Sequence, residues 1–253
     1  MKLMTKTKDA PFHTVLIERP SALDPKQCEE LTKRLVELSR RATAGVNWRE
    51  YAPGEHGWIA YYAAPGNRVQ DYDRIVFVED QERILHALCV QTLTLNDYRV
   101  IWIHIALTDM SHHDSGLLAT AAQSMFSREW LSTLKPPCVA VFRTPNPIAY
   151  EAVRTLASRL TPGSRVFPEI DASGQLVPVP DGIRDLVTKL SAELSPRCAF
   201  NSETFVLKGY FKDFGALYSD FNFPCRNPAV ASYFDRYLDR SNMDGLLAVV
   251  QLT

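Results

Sequence analysis

The chain has 253 residues, 28 Lys+Arg against 29 Asp+Glu for a net charge of -1, and 46% hydrophobic residues. That composition excludes disorder, collagen and a coiled-coil rod, and its length suits one large α/β domain or two small ones. Balanced charge supplies no excess of Lys and Arg for a polyanion, so nucleic acid is not an expected partner.

The five cysteines, Cys28, Cys89, Cys138, Cys198 and Cys225, are widely spaced and form no C-x-x-C pair. Neither a disulfide framework nor a zinc finger is indicated, and a reducing cytoplasm is the expected location. The N-terminal MKLMTKTKDAPF lacks the apolar segment of a secretory leader. The longest apolar run, Val100 to Leu107, is interrupted by His104 and is too short for a bilayer, so no membrane contact is expected.

In chain order, Phe12 to Glu18 (FHTVLIE) reads as a strand, and Asp24-Pro25 opens an amphipathic helix to Arg41, with Asp as N-cap and Pro at the first helical position. The stretch 43–73 is rich in Gly and Pro yet carries Trp48, Tyr51, Trp58, Tyr61 and Tyr62. It reads as a long aromatic loop folded over something. Arg74 to Val78, Ile84 to Leu95 and Arg99 to Leu107 then form an antiparallel meander, the last strand apolar enough to be covered on both faces. After the polar TDMSHHDS comes a helix from Gly116 to Leu134, a strand from Cys138 to Phe142, and a helix from Pro147 to Leu160 led by Asn146.

The remainder, 161–200, reads as an inserted loop and a helix from Ile183 to Leu194. A strand from Glu203 to Phe211, a helix from Asn227-Pro228 to Arg240, and a final strand from Leu246 to Leu252 follow. The expectation is a single domain over 1–253, α/β in class, with a mixed, centrally antiparallel sheet of about seven strands flanked by helices.

This order of elements resembles the GNAT superfamily of acyl-CoA-dependent N-acyltransferases over most of the chain. In that family a loop of the pattern Arg/Gln-x-x-Gly-x-Gly/Ala opens the helix after the fourth strand, where free N–H groups and the helix dipole hold the CoA pyrophosphate. The matching stretch is His113-Asp114-Ser115-Gly116-Leu117-Leu118, with Gly116 in place, His113 at the basic position and Leu118 where a small residue is usual. The family's Asn at the head of the next helix matches Asn146, with Ala149 three positions on. Its Tyr general acid would fall at Val153, and Tyr150 lies one turn earlier, so the acid stays unassigned.

The resemblance implies acetyl-CoA, or another acyl-CoA, as co-substrate. It would lie between the strand ending at Leu107 and the strand ending at Phe142, on Ala106, Leu107, Thr108, His113, Ser115, Gly116, Leu117, Leu118 and Asn146. The implied reaction is direct transfer, most simply of acetyl, to a small-molecule amine, with the oxyanion on backbone N–H groups near Ala106 and Leu107. His104 is the candidate base, since an imidazole titrates near neutrality and shares a strand face with Trp102 and Ala106. Among the strand-end carboxylates Glu79, Asp80, Glu82 and Glu203, Glu203 is the second catalytic candidate. Trp48, Trp58 and Tyr61 are candidate walls of the acceptor pocket.

Structural roles compete for several of these residues. Asn146-Pro147 is also an ordinary helix cap, and His104 is also the kind of histidine found satisfied in a core. Two other functions stay open: a protein of this fold that has lost its cofactor and serves as a binding or scaffold module, and a metal-dependent oxygenase using His112 and Asp114. No metal is expected in the acyltransferase reading, and a homodimer is left open. There is no G-x-S-x-G, G-x-x-x-x-G-K-[ST], G-x-G-x-x-G or H-E-x-x-H, which removes serine hydrolase, P-loop, Rossmann and zincin chemistries.

Overall fold

A computed structural model describes residues 12–43, 57–81, 83–113, 115–214 and 225–252. Trp48, Tyr51, Glu82 and Asp114 lie outside the described residues. Class and strand pattern agree with expectation: the chain is α/β, with nine described strands, mostly antiparallel, flanked by helices. Contacts divide it into two compact units, 1–93 with 101–135, and 94–100 with 136–253.

The first unit holds, in order across the sheet, β1 (His13–Ile17), β2 (Arg74–Glu79) and most of β3 (Ile84–Leu95) and β4 (Tyr98–Thr108). Helix α1 (Pro25–Ala42) starts at a capping box, Asp24 accepting from the Gln27 N–H at 2.8 Å and Gln27 from the Asp24 N–H at 3.1 Å. Its Leu31, Leu35 and Leu38 recur at helical spacing and pack on Val15, Ile75 and Phe77. Each such leucine contributes about 1.5–3 kcal/mol by leaving water.

The 43–73 stretch is not wholly loop: α2 (Gly57–Ala63) is helical. Trp58, Tyr61 and Tyr62 stand at i, i+3 and i+4, one helix face, and Tyr62 docks on α1 through a 3.1 Å hydrogen bond with Ser39. The helix expected from Gly116 to Leu134 is two, α3 (Leu117–Met125) and α4 (Arg128–Thr133). Ser127 caps the second by accepting from the Trp130 N–H at 3.3 Å. Arg74 secures the break, donating to the Met125 carbonyl at 3.0 Å with its guanidinium 4.4 Å from the Trp130 ring centre.

In the second unit β5 (Cys138–Thr144) pairs with β9 (Gly245–Leu252) along its whole length. Beside β9 also lie β6 (Arg165–Phe167), a short strand within the expected loop, and β8 (Val206–Leu207), which pairs with β7 (Phe200–Asn201). Helices α5 (Pro147–Leu160), α6 (Asp181–Leu194) and α7 (Pro228–Tyr237) complete the unit.

The strand expected from Glu203 to Phe211 is corrected to Val206–Leu207 alone. Asn201 Oδ1 accepts from the N–H groups of Glu203 at 2.9 Å and Thr204 at 3.2 Å, and Phe205 adopts φ +57°. An Asx turn therefore reverses the chain where a strand would have continued. At the far end Asp244 accepts from Lys208 at 2.6 Å and from the Gly209 N–H at 2.9 Å, drawing 208–209 into a second turn. The last helix ends at Tyr237, short of Arg240. No helix among the described residues is long and apolar enough to cross a membrane.

Candidate functional site

The first unit gathers its polar chemistry along β4 and the segment that follows. His104 is half-buried under aromatic rings: Trp102 stacks on it with centroids 4.3 Å apart and planes 23° apart, and Tyr72 meets it edge-on at 5.6 Å. The Tyr61 hydroxyl lies 3.2 Å from His104 Nε2. Trp58 meets Tyr61 edge to face at 5.4 Å. The structure thus brings together the candidate base and two of the three candidate pocket residues.

Strict alternation would send Ile105 to the face opposite His104. Instead Ile105 and Leu107 pack in the same α1-side core as Tyr61 and Tyr72, the residues that cover His104. The two-residue period breaks between His104 and Ile105, as it does at a bulge, where one residue's backbone groups leave the ladder. This corrects the expectation that His104 and Ala106 share a face: Ala106, between Ile105 and Leu107, points the other way and is exposed.

Beyond Thr108 the chain is anchored by Asp109, 3% exposed. Its carboxylate accepts from Arg41 Nε at 2.7 Å, from the Ser111 N–H at 3.0 Å and from the Ser111 hydroxyl at 2.6 Å. Burial alone would raise this carboxyl, yet the Ser111 and Arg41 hydrogen bonds hold it down at about 2. Arg41 also donates to the Ile84 carbonyl at 2.6 Å, so one guanidinium joins the end of α1 to β3 and to the turn after β4. Sequence reading passed over Asp109, which stands 68 positions from its partner.

The anchored turn leads through exposed His113 and Ser115 to Gly116, which caps α3 at φ +78°. A Cβ there would meet nothing within 4 Å. The first-turn N–H groups, from Leu117 onward, have no acceptor inside the helix and carry the positive end of its dipole. The Leu117 side chain is buried and Leu118 partly so; only their backbone groups are available to a ligand. An anion would fit this helix start. His112 shares its Nδ1 with the Ser111 hydroxyl at 2.9 Å. Among the described residues no three His, Cys, Asp or Glu cluster as metal ligands.

In the second unit Asn146 acts as a helix cap, its Oδ1 accepting from the Ile148 N–H at 2.8 Å. Asn227-Pro228 repeats the device on α7, with Oδ1 accepting from Ala229 at 3.1 Å and Val230 at 3.3 Å. Capping alone therefore accounts for both Asn-Pro pairs. Tyr150 is fully buried and donates its hydroxyl to the Pro168 carbonyl. Glu203 lies in the turn after β7, its side chain 73% exposed and paired with Arg184, not on a strand. Glu79 pairs with Arg34, and Asp80 accepts from the Arg83 N–H at 2.8 Å.

No protein-family model matches the sequence, and no curated protein matches it. Solved structures do resemble the chain. An integron cassette protein from the V. cholerae mobile metagenome is 10% identical with a TM-score of 0.42, over 70% of this chain and 98% of its own. An aminoglycoside acetyltransferase from an uncultured soil metagenomic sample is 13% identical with a TM-score of 0.38, over 67% and 99%. A GNAT family acetyltransferase from Brucella melitensis, solved with acetyl-CoA, is 8% identical with a TM-score of 0.33, over 51% and 75%.

Proposed function

We propose that the chain is a divergent GNAT-type acyltransferase that moves an acyl group, most simply acetyl, from CoA to a small-molecule amine. The observation that carries this reading is the end of β4, where the break in alternation at His104 and Ile105 is followed within a dozen residues by a Gly-led helix start whose N-cap has no side-chain acceptor for its first amides. In this reading backbone N–H groups near Ala106 and Leu107 polarise the thioester carbonyl and hold the oxyanion, while Thr108 continues that edge. The first-turn N–H groups from Leu117 onward receive the CoA phosphates beside Ser115 and Gly116, with exposed His113 nearby.

His104 serves as the base, and Trp58 and Tyr61 wall a pocket suited to an apolar or flat amine. Direct transfer fits the cysteines. Burial pushes the Cys89 thiol far above its ordinary range and that of Cys138 up to about 11, so neither supplies a thiolate nucleophile. Glu203, in a surface ion pair, has no part in this reading.

Calorimetric titration of the full chain with acetyl-CoA tests it. Saturable heat and a rise in Tm at millimolar ligand are expected. No heat and no shift would leave the alternative of a binding or scaffold module that has lost the co-substrate.

A further inference from the structure

The attacking amine must lose a proton and the departing thiolate must gain one, and a single group that both accepts and gives can serve both steps. In the second unit Tyr150, one turn before the expected acid position, is buried with its hydroxyl committed to the Pro168 carbonyl. In the first unit, by contrast, a phenol stands directly on the candidate base.

We infer that Tyr61 is a catalytic residue, a relay hydroxyl that hands its own proton to His104 Nε2 as it takes one from the amine. This rests on the acyltransferase reading above and deepens it. The geometry is a 3.2 Å contact between the Tyr61 oxygen and His104 Nε2, both side chains half-buried. Because the phenol caps Nε2, a substrate proton reaches that nitrogen by way of the phenol oxygen.

The pair sits on a rigid base. Tyr61 is held edge to face by Trp58 at 5.4 Å and by Tyr62 at 5.2 Å, and Tyr62 is locked by its hydrogen bond to buried Ser39. On the other side the imidazole lies stacked against the Trp102 ring at 4.3 Å, which fixes its orientation. His104 precedes Ala106 by two residues, about 7 Å along the strand, so the relay stands beside the backbone groups assigned to the oxyanion.

The protons and electrons balance. The amine lone pair forms the C–N bond at the thioester carbon, the amine proton passes to the Tyr61 oxygen, and the Tyr61 proton passes to Nε2. When the oxyanion collapses, the C–S bond breaks with its electron pair on sulfur. The imidazolium returns its proton to Tyr61, and Tyr61 protonates the thiolate, so amide and free CoA thiol leave with the relay restored.

The test compares the full chain with Tyr61→Phe and His104→Gln, using acetyl-CoA and tryptamine as probes and ¹⁵N NMR of histidine-labelled protein. The relay predicts kcat about 100-fold lower in Tyr61→Phe, KM for acetyl-CoA within about twofold, and little further loss in the double variant. It also predicts that the His104 Nε2 resonance moves in Tyr61→Phe. A Tyr61→Phe protein that binds acetyl-CoA and keeps kcat within about twofold overturns the relay and leaves the acyltransferase reading standing. Wild type that binds no acetyl-CoA overturns both. If wild type binds acetyl-CoA but leaves tryptamine unacetylated, the Nε2 resonance decides, and an unmoved resonance overturns the relay.

Discussion

His86 Nδ1 lies 2.7 Å from the Thr108 hydroxyl oxygen, a side-chain bond that joins β3 to the last residue of β4. His86 is 1% exposed, and burial draws its imidazole down to about 4. The unfolded chain takes a proton near pH 6.5 that the folded chain refuses until about 4, so folding stability falls as pH drops through that window. Urea unfolding at pH 7, 5.5 and 4 is expected to show a loss of up to about 3 kcal/mol from this group. His86→Gln should flatten that slope, and an unchanged slope would show that another group causes it.

Asp109 controls a lower window. With its carboxyl held at about 2, the stability it adds is fully present above about pH 4 and is lost as pH falls toward 2. Asp109→Ala leaves Arg41 and the Ser111 N–H without this acceptor. The expected cost is about 3 kcal/mol at pH 7, shrinking toward pH 2, read from Tm of both proteins across that range. A cost independent of pH would contradict the ion-pair account.

Gly116 offers a separable test of backbone conformation. Its φ of +78° strains any residue with a Cβ, yet the added atom would strike nothing within 4 Å. Gly116→Ala is therefore expected to cost about 1 kcal/mol in chemical denaturation, and Gly116→Asn less, because Asn tolerates the left-handed region. Equal costs for the two would point to a clash and not to backbone strain.

Tyr150→Phe removes the hydroxyl that satisfies the Pro168 carbonyl inside the second unit. A loss of about 1–2 kcal/mol in stability is expected, with kcat/KM for acetyl transfer within about twofold of wild type well below Tm. A hundredfold fall in kcat at unchanged stability would return Tyr150 to the reaction as its acid.

Several elements were legible from residues close together in the chain. Asp24-Pro25 and Asn146-Pro147 announce α1 and α5 because a cap and the amides it serves lie within three positions of each other. The β2–β4 meander is written in its alternation and turns. The same kind of signal was present for α2, in the spacing of Trp58, Tyr61 and Tyr62, and for the α3–α4 break, in Ser127; Gly and Pro nearby masked the first.

Other features existed only once the chain had folded. Arg41 meets Asp109 across 68 positions and His86 meets Thr108 across 22, and neither pairing leaves a mark on local periodicity. The Glu203 segment had a strand's composition, yet Asn201 captured its amides and turned it, a local bond defeating a propensity. At His104 the periodic signal itself misled, since alternation assigns neighbours to opposite faces and the folded strand sets His104 and Ile105 against one core. Caps and alternation are properties of a few adjacent residues, whereas the aromatic shelter of His104 depends on helices and strands that meet only when their apolar faces are buried together.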